Sequence, residues 1–208
     1  MTAAESLEQR YIGKEVGSFR IKKLLGEGGM GAVFLAEHRQ VNLRVAFKFL
    51  RDPLADEASI VRFMDEAQVL SRLSHPSLVR LNDCGALADG TLYLQMEHLD
   101  GKSLQDYLEE QGGKLPEETV LRFGKQVASA LACVHQAQIL HRDLKPSNLY
   151  VVADREVPGG LRVKVLDFGI AKLRQALGSI SGQVNRVRTV SGQIIGTPKY
   201  MSPEQIIL

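Results

Sequence analysis

Tryptophan is absent from this 208-residue chain, and cysteine is nearly so: Cys84 and Cys133 stand 49 residues apart. Two isolated thiols without a CxxC pair or a His-rich neighbourhood exclude a disulfide framework and argue against a zinc site. They read as reduced, half-buried cysteines of a cytoplasmic protein. Charge of one sign is lacking too, because 26 Lys+Arg stand against 24 Asp+Glu, a formal net charge of +2 spread along the chain. That balance excludes a polybasic surface or an acidic tail as the main theme, and no nucleic-acid partner is expected. No run of about 18 apolar residues occurs, so no membrane segment is expected. The opening MTAAESLEQR lacks the apolar stretch of a signal peptide. What is present is 44% hydrophobic and 24% charged residues, the composition of a globular protein long enough for one large domain or two lobes.

Over residues 19–33 apolar and polar positions alternate around a glycine cluster, and 45–50 (VAFKFL) is a second strand pattern, so the chain opens with antiparallel β structure. The mostly polar residues 1–18 read as a leader of no assigned function. Over 60–73 the period becomes helical, with Ile60, Phe63, Ala67 and Leu70 on one side. Glu66 falls on that apolar side, where a carboxylate wants a cationic partner. Residues 78–81 and 92–96 predict two more strands around an Asp89-Gly90 turn. Ser103 with Asp106 forms a capping box, and Pro116, Glu117 and Glu118 open a long helix with the stripe Val120, Phe123, Val127, Leu131 and Val134. A hairpin is expected from 149–152 and 161–166 across a Pro-Gly-Gly loop. Residues 174–196, rich in Ser, Gly, Gln and Thr without period, have the composition of a functional loop. The fold class is therefore α+β and bilobal: a β-rich N-lobe over 19–99, a hinge near 97–101 and a helical C-lobe over 102–208.

Leu25 is followed by a GxGxxGxV string, Gly26, Glu27, Gly28, Gly29, Met30, Gly31 and Val33, lying between two strand patterns. Such glycines let backbone N–H groups approach phosphate oxygens with no Cβ in the way, although a glycine-rich hairpin turn looks alike. The strand that follows disfavours a dinucleotide fold, which needs a helix there. Lys48 lies 22 residues beyond Gly26 inside an apolar strand. It is either paired or a strand-edge lysine reaching solvent. Glu66 poses the same problem with opposite sign, and each residue would solve the other's. Further on, His141, Arg142, Asp143, Leu144, Lys145, Pro146, Ser147 and Asn148 spell HRDLKPSN; Asp167-Phe168-Gly169 follows 19 residues after Asn148, and Ser202-Pro203-Glu204 ends 37 residues after Asp167.

In this order these motifs resemble the signature set of protein kinases. GTPKYMSPEQ at 196–205 and His75-Pro76 are similar to the bacterial branch of the Ser/Thr kinases, and the resemblance runs from about residue 19 to the last. It implies an ATP-dependent protein serine/threonine kinase acting in signal transduction, with protein substrates and Mg²⁺ (alternatively Mn²⁺) as the metal. Asp143 would orient or accept the substrate hydroxyl proton, Lys145 would neutralise the transferred phosphoryl group, and Asn148 and Asp167 would hold the metal. Lys48 would pair with the α/β-phosphates and Glu66. Val33 and Ala46 would pack on adenine, with Met96 as gatekeeper and the backbone of Glu97 and Leu99 as hydrogen-bonding partners. Tyr150 would form the adenine floor, where an aliphatic residue is commoner. Arg142 would hold a phosphate placed on Thr189 or Ser191, unless these are unmodified loop hydroxyls. Thr197 would bond the catalytic Asp and Lys.

The sequence departs from that pattern at its end. Kinase domains run for roughly 250–280 residues, whereas this chain stops four residues after Glu204. A C-terminally truncated kinase domain with an incomplete C-lobe is the expectation, its helical stripe Val120, Phe123, Val127 and Leu131 bared to water. An inactive nucleotide-binding or interaction module, pseudokinase-like, is the alternative. A further departure is Gln138, where relatives have a turn glycine, so a positive φ there would carry strain.

Overall fold

The computed structural model describes residues 7–29, 31–50, 57–167 and 198–203. The chain divides into two compact units, Met1–Arg72 with Arg80–His98, and Leu73–Val79 with Leu99–Leu208.

The first unit is built on an antiparallel sheet. Its strands are β1 (Glu15–Val16), β2 (Phe19–Gly28), β3 (Gly31–His38), β4 (Arg44–Leu50), β5 (Leu81–Ala86) and β6 (Leu92–Glu97), in the order β1-β2-β3-β4-β6-β5. Register sorts the side chains by face, since residues opposite one another across an antiparallel pair share a side. Val33 pairs with Lys48, Leu35 with Ala46, Lys48 with Leu94 and Ala46 with Met96, so these lie on one face. Ala32, Phe34 and Ala36 pair with Phe49, Phe47 and Val45 on the other. That second face is an aromatic core in which Phe34, Phe47 and Phe49 are fully buried. The helix α2 (Glu57–Arg72) packs beside β5 and buries Phe63, Ala67 and Leu70, a stripe at helical spacing.

Residues 7–16 depart from the leader expected of them. A short helix α1 (Leu7–Tyr11) precedes β1, and Tyr11 and Val16 belong to the aromatic core. Two isolated apolar residues among polar ones carry no period, and only the cavity they fill gives them a place.

The second unit contains β7 (Gly101–Ser103), α3 (Leu104–Glu110), α4 (Glu117–Gln136), β8 (Leu149–Ala153) and β9 (Leu161–Val165), with a sheet in the order β7-β8-β9. The capping box forms as expected: Asp106 N–H donates to Ser103 Oγ at 3.0 Å, and Ser103 Oγ–H donates to the Asp106 carboxylate at 2.7 Å. Gly159 takes φ 79° in the loop of the β8–β9 hairpin. The expected strand at 78–81 is shifted: β5 begins at Leu81, and Leu78 makes an isolated parallel bridge to Val165. Val165 N–H donates to Ser77 O (2.9 Å) and Val79 N–H donates to Val165 O (3.0 Å), so 73–79 is the edge partner of β9. Short apolar runs look alike in either role.

The α4 stripe is only partly bared. Val120 is 53% exposed and Val127 and Leu131 are half-buried, but Phe123 is 4% exposed, its ring 6.2 Å from that of Tyr107. The stripe is open at Val120 and closed at Phe123, where Tyr107 of α3 packs on it, and α4 also packs against β9. Both cysteines are free and half-buried. No helix among the described residues is long and apolar enough to cross a membrane.

Candidate active site

In the first unit the glycine string forms the end of the β2–β3 hairpin, with Gly26 opposite Val33 and Gly28 opposite Gly31. A Cβ at Gly26, Gly28 or Gly29 would meet nothing within 4 Å, so these glycines keep an open surface above the backbone. Gly31 is different. It has φ 149°, and a Cβ there would stand 2.0 Å from the Phe49 carbonyl oxygen, so only glycine fits. Leu25 and Glu27 are exposed on β2, and Met30 lies outside the described residues.

Lys48 is 7% exposed on β4, which runs between β3 and β6. A central strand removes the strand-edge reading of this lysine. It shares a face with Val33, Ala46 and Met96, so the ammonium-bearing strand and the flat apolar positions expected for an adenine ring occupy one surface. Glu66 projects from α2 in the same unit, and its Oε2 is sealed from solvent. The Glu97 N–H donates to the Arg80 carbonyl at 3.0 Å, and Glu97 Oε1 accepts the Arg80 N–H at 2.8 Å. The boundary between units falls between His98 and Leu99.

In the second unit the polar residues converge on the loop between α4 and β8. Asn148 is 8% exposed, and its Nδ2 donates to the Asp143 carbonyl at 2.8 Å and to Asp143 Oδ2 at 3.0 Å. With both amide hydrogens directed at Asp143, Oδ1 is left as an acceptor for a cation. Lys145 Nζ lies 3.1 Å from the same Asp143 Oδ2. The ends of this loop are tied by Leu166 N–H donating to Asn148 O at 2.8 Å, which brings Asp167 beside it.

His141 organises the loop, a role its place in the motif did not disclose. It is 4% exposed, with Nε2 2.7 Å from Leu166 O and Nδ1 accepting the Asp143 N–H at 3.3 Å. An acceptor Nδ1 and a donor Nε2–H define the neutral tautomer. Burial pushes its pKa below the usual histidine range, while the hydrogen bond to Leu166 and the carboxylates of Asp167 and Asp143 pull the other way. Two backbone outliers flank the site, Arg142 at φ 58° and Asp167 at φ 51°, and Gln138, where relatives have a turn glycine, has φ 59°, the condition under which strain arises there. Non-glycine residues are held there only when their surroundings over-determine the conformation.

Tyr150 sits on β8 opposite Ser103, half-buried. Burial raises the pKa of its hydroxyl, helped by the carboxylates of Asp106 and Asp100. Phe168, Gly169, Thr189, Ser191, Thr197 and Glu204 lie outside the described residues. Among the described residues no group of three or more His, Cys, Asp or Glu side chains could hold a metal ion. The Asn148 and Asp167 oxygens nevertheless suit a hard cation that takes its remaining ligands from phosphate and water.

A curled, aromatic-backed antiparallel sheet with the helix α2 beside it, joined to a helical unit that carries an Asp–Lys–Asn loop, defines a protein-kinase-like fold. Residues 19–207 match the protein kinase domain family, and the chain belongs to it. It is 42% identical over 197 residues to the serine/threonine-protein kinase pkn3 of Myxococcus xanthus, covering 94% of this chain and 35% of that protein. It is 39% identical to the serine/threonine-protein kinase PrkC of Bacillus subtilis, covering 93% and 28%. The chain thus spans about a third of the length of these relatives. Among solved structures, the PknI kinase domain of Mycobacterium tuberculosis aligns with a TM-score of 0.64 at 32% identity, covering 76% of this chain and 62% of that one.

Proposed function

We propose that the chain carries the catalytic machinery of a cytoplasmic protein serine/threonine kinase, which moves the γ-phosphoryl group of ATP to a Ser or Thr hydroxyl of a protein in signal transduction. The observation that carries this reading is the convergence of Lys145 and Asn148 on one carboxylate oxygen of Asp143. Asn148 holds the carboxylate in place through two hydrogen bonds. Asp143 orients the acceptor hydroxyl and takes its proton as the new O–P bond forms and the β,γ-bridging P–O bond breaks, releasing ADP. Lys145 follows the transferred group and neutralises charge on its oxygens. Asn148 and Asp167 would hold Mg²⁺, which when bound draws charge from the phosphate oxygens.

In the first unit, Lys48, steadied by Glu66, binds the α/β-phosphates beneath the backbone of residues 26–31. Val33, Ala46 and Met96 supply the apolar surface for adenine, the backbone of Glu97 and Leu99 reads its edge, and Tyr150 offers a flat ring. Arg142, next to Asp143 in the chain, would receive a phosphate on Thr189 or Ser191, and Thr197 would be the threonine that bonds Asp143 and Lys145.

Transfer of radiolabel from [γ-³²P]ATP to a generic protein acceptor tests the reading. Asp143→Asn keeps the side chain's shape and is expected to lower incorporation by about 10²–10⁴-fold while the fold, followed by circular dichroism, is unchanged. Equal incorporation by the two chains removes Asp143 from the mechanism.

A further inference from the structure

Gly26, Gly28 and Gly29 are exposed and open on the side where a Cβ would project. The β3 side of the glycine hairpin lies against β4: at Gly31 the Phe49 carbonyl leaves no room for a Cβ, and Ala32 pairs with Phe49. Phe49 is also the residue after Lys48. What locates the Phe49 ring therefore bears on both the start of β3 and the lysine strand.

That role falls to Tyr11. Its ring stacks on Phe49 with centroids 4.3 Å apart and planes 7° from parallel, and meets Phe34 edge-on at 5.4 Å and 61°. Tyr11 is itself fastened on both sides. Downstream, Gly13 N–H donates to Ile21 O, Ile21 N–H donates to Lys14 O, and Lys14 N–H closes a turn onto Tyr11 O, all within 2.9–3.0 Å. Upstream, Arg10 reaches across to Asp89 at 2.8 Å and Thr91 at 3.4 Å in the β5–β6 turn. A pocket between α1 and the start of β3 is walled by Leu7, Arg10, Tyr11, Gly31 and Leu50.

We propose that Tyr11 is a positioning residue of the nucleotide site, through which the segment 7–16 sets the glycine hairpin and Lys48 from the reverse face of the sheet. This rests on the kinase reading above and adds to it a segment that precedes the matched family region, residues 19–207. The stacked ring is the active part; the phenol hydroxyl is not needed.

Titration calorimetry of the full chain with Mg²⁺-ATP separates this from a merely structural role, because the fitted stoichiometry reports the folded fraction and Kd reports the site. Tyr11→Ala is expected to raise Kd about three- to tenfold at unchanged stoichiometry, the range an aromatic pair contributes. Tyr11→Phe is expected to bind within about twofold of wild type, as the ring is retained. Should Tyr11→Ala not fold, the pair Leu7→Ala with Arg10→Ala loosens α1 from its half-exposed side and is expected to raise Kd in the same direction. Unchanged Kd in these variants, or a Tyr11→Phe loss equal to that of Tyr11→Ala, overturns the proposal. A wild-type chain that binds no nucleotide overturns the kinase reading itself, and this inference with it.

Discussion

Lys48 stands where it does because an aromatic layer fills the reverse side of its strand, whereas Asp143 stands where it does because hydrogen bonds hold its loop. Behind Lys48, Phe34, Phe47, Phe49 and Tyr11 are packed ring on ring. Around Asp143, directional polar contacts from His141, Lys145 and Asn148 hold a backbone that includes two non-glycine residues at positive φ. Packing is sensitive to volume and tolerant of chemistry, while a polar network is sensitive to chemistry at constant volume. The two units should therefore fail differently.

Truncation shows the difference at its largest. Phe49→Ala opens the aromatic core and is expected to cost about 3–5 kcal/mol, read as a lower midpoint in urea, whereas Phe49→Leu is expected to recover most of it. In the second unit the isosteric change is the damaging one. Asn148→Leu keeps the number and branching of the side-chain heavy atoms yet removes both hydrogen bonds to Asp143, with an expected loss of about 1–3 kcal/mol. If Asn148→Leu is neutral and Phe49→Leu is as harmful as Phe49→Ala, the contrast drawn here is wrong.

Acid separates the units more gently. Burial keeps His141 neutral, so its folded-state pKa lies below the unfolded value near 6.5. Below that value the unfolded chain binds a proton that the folded chain refuses, and stability falls with pH; above it the residue has no effect. The slope is at most about 1.4 kcal/mol per pH unit. Thermal unfolding between pH 7.5 and 5.5 should show a declining Tm for wild type and a flatter profile for His141→Gln. An identical profile in the variant would assign the decline to other groups.

The motifs were legible because chemistry dictates both residue type and order: glycines beneath phosphates, a lysine on an apolar strand, an Asp and an Asn five residues apart. Helices α2 and α4 and the capping box at Ser103 could be read from period and hydrogen-bonding chemistry. Residues 78–81 could not, since a four-residue apolar run can serve as a strand or as the lone partner of Val165. Tyr11 escaped for a similar reason: one aromatic residue in a polar segment has no pattern to reveal it. His141 was visible as a motif letter, but its two hydrogen bonds to the backbone were not.

Sequence alone settled which side chains carry charge and which are apolar, hence the family resemblance and most of the order of the elements, because spacing and residue chemistry are local properties. Tertiary structure alone decided that Lys48 lies on a buried central strand, that Asn148 turns both amide hydrogens to Asp143, and that Glu15 and Val16 join the sheet while Tyr11 enters its core. Each of these depends on contacts between residues distant in the chain, and such contacts exist only once the surfaces that make them have been buried together.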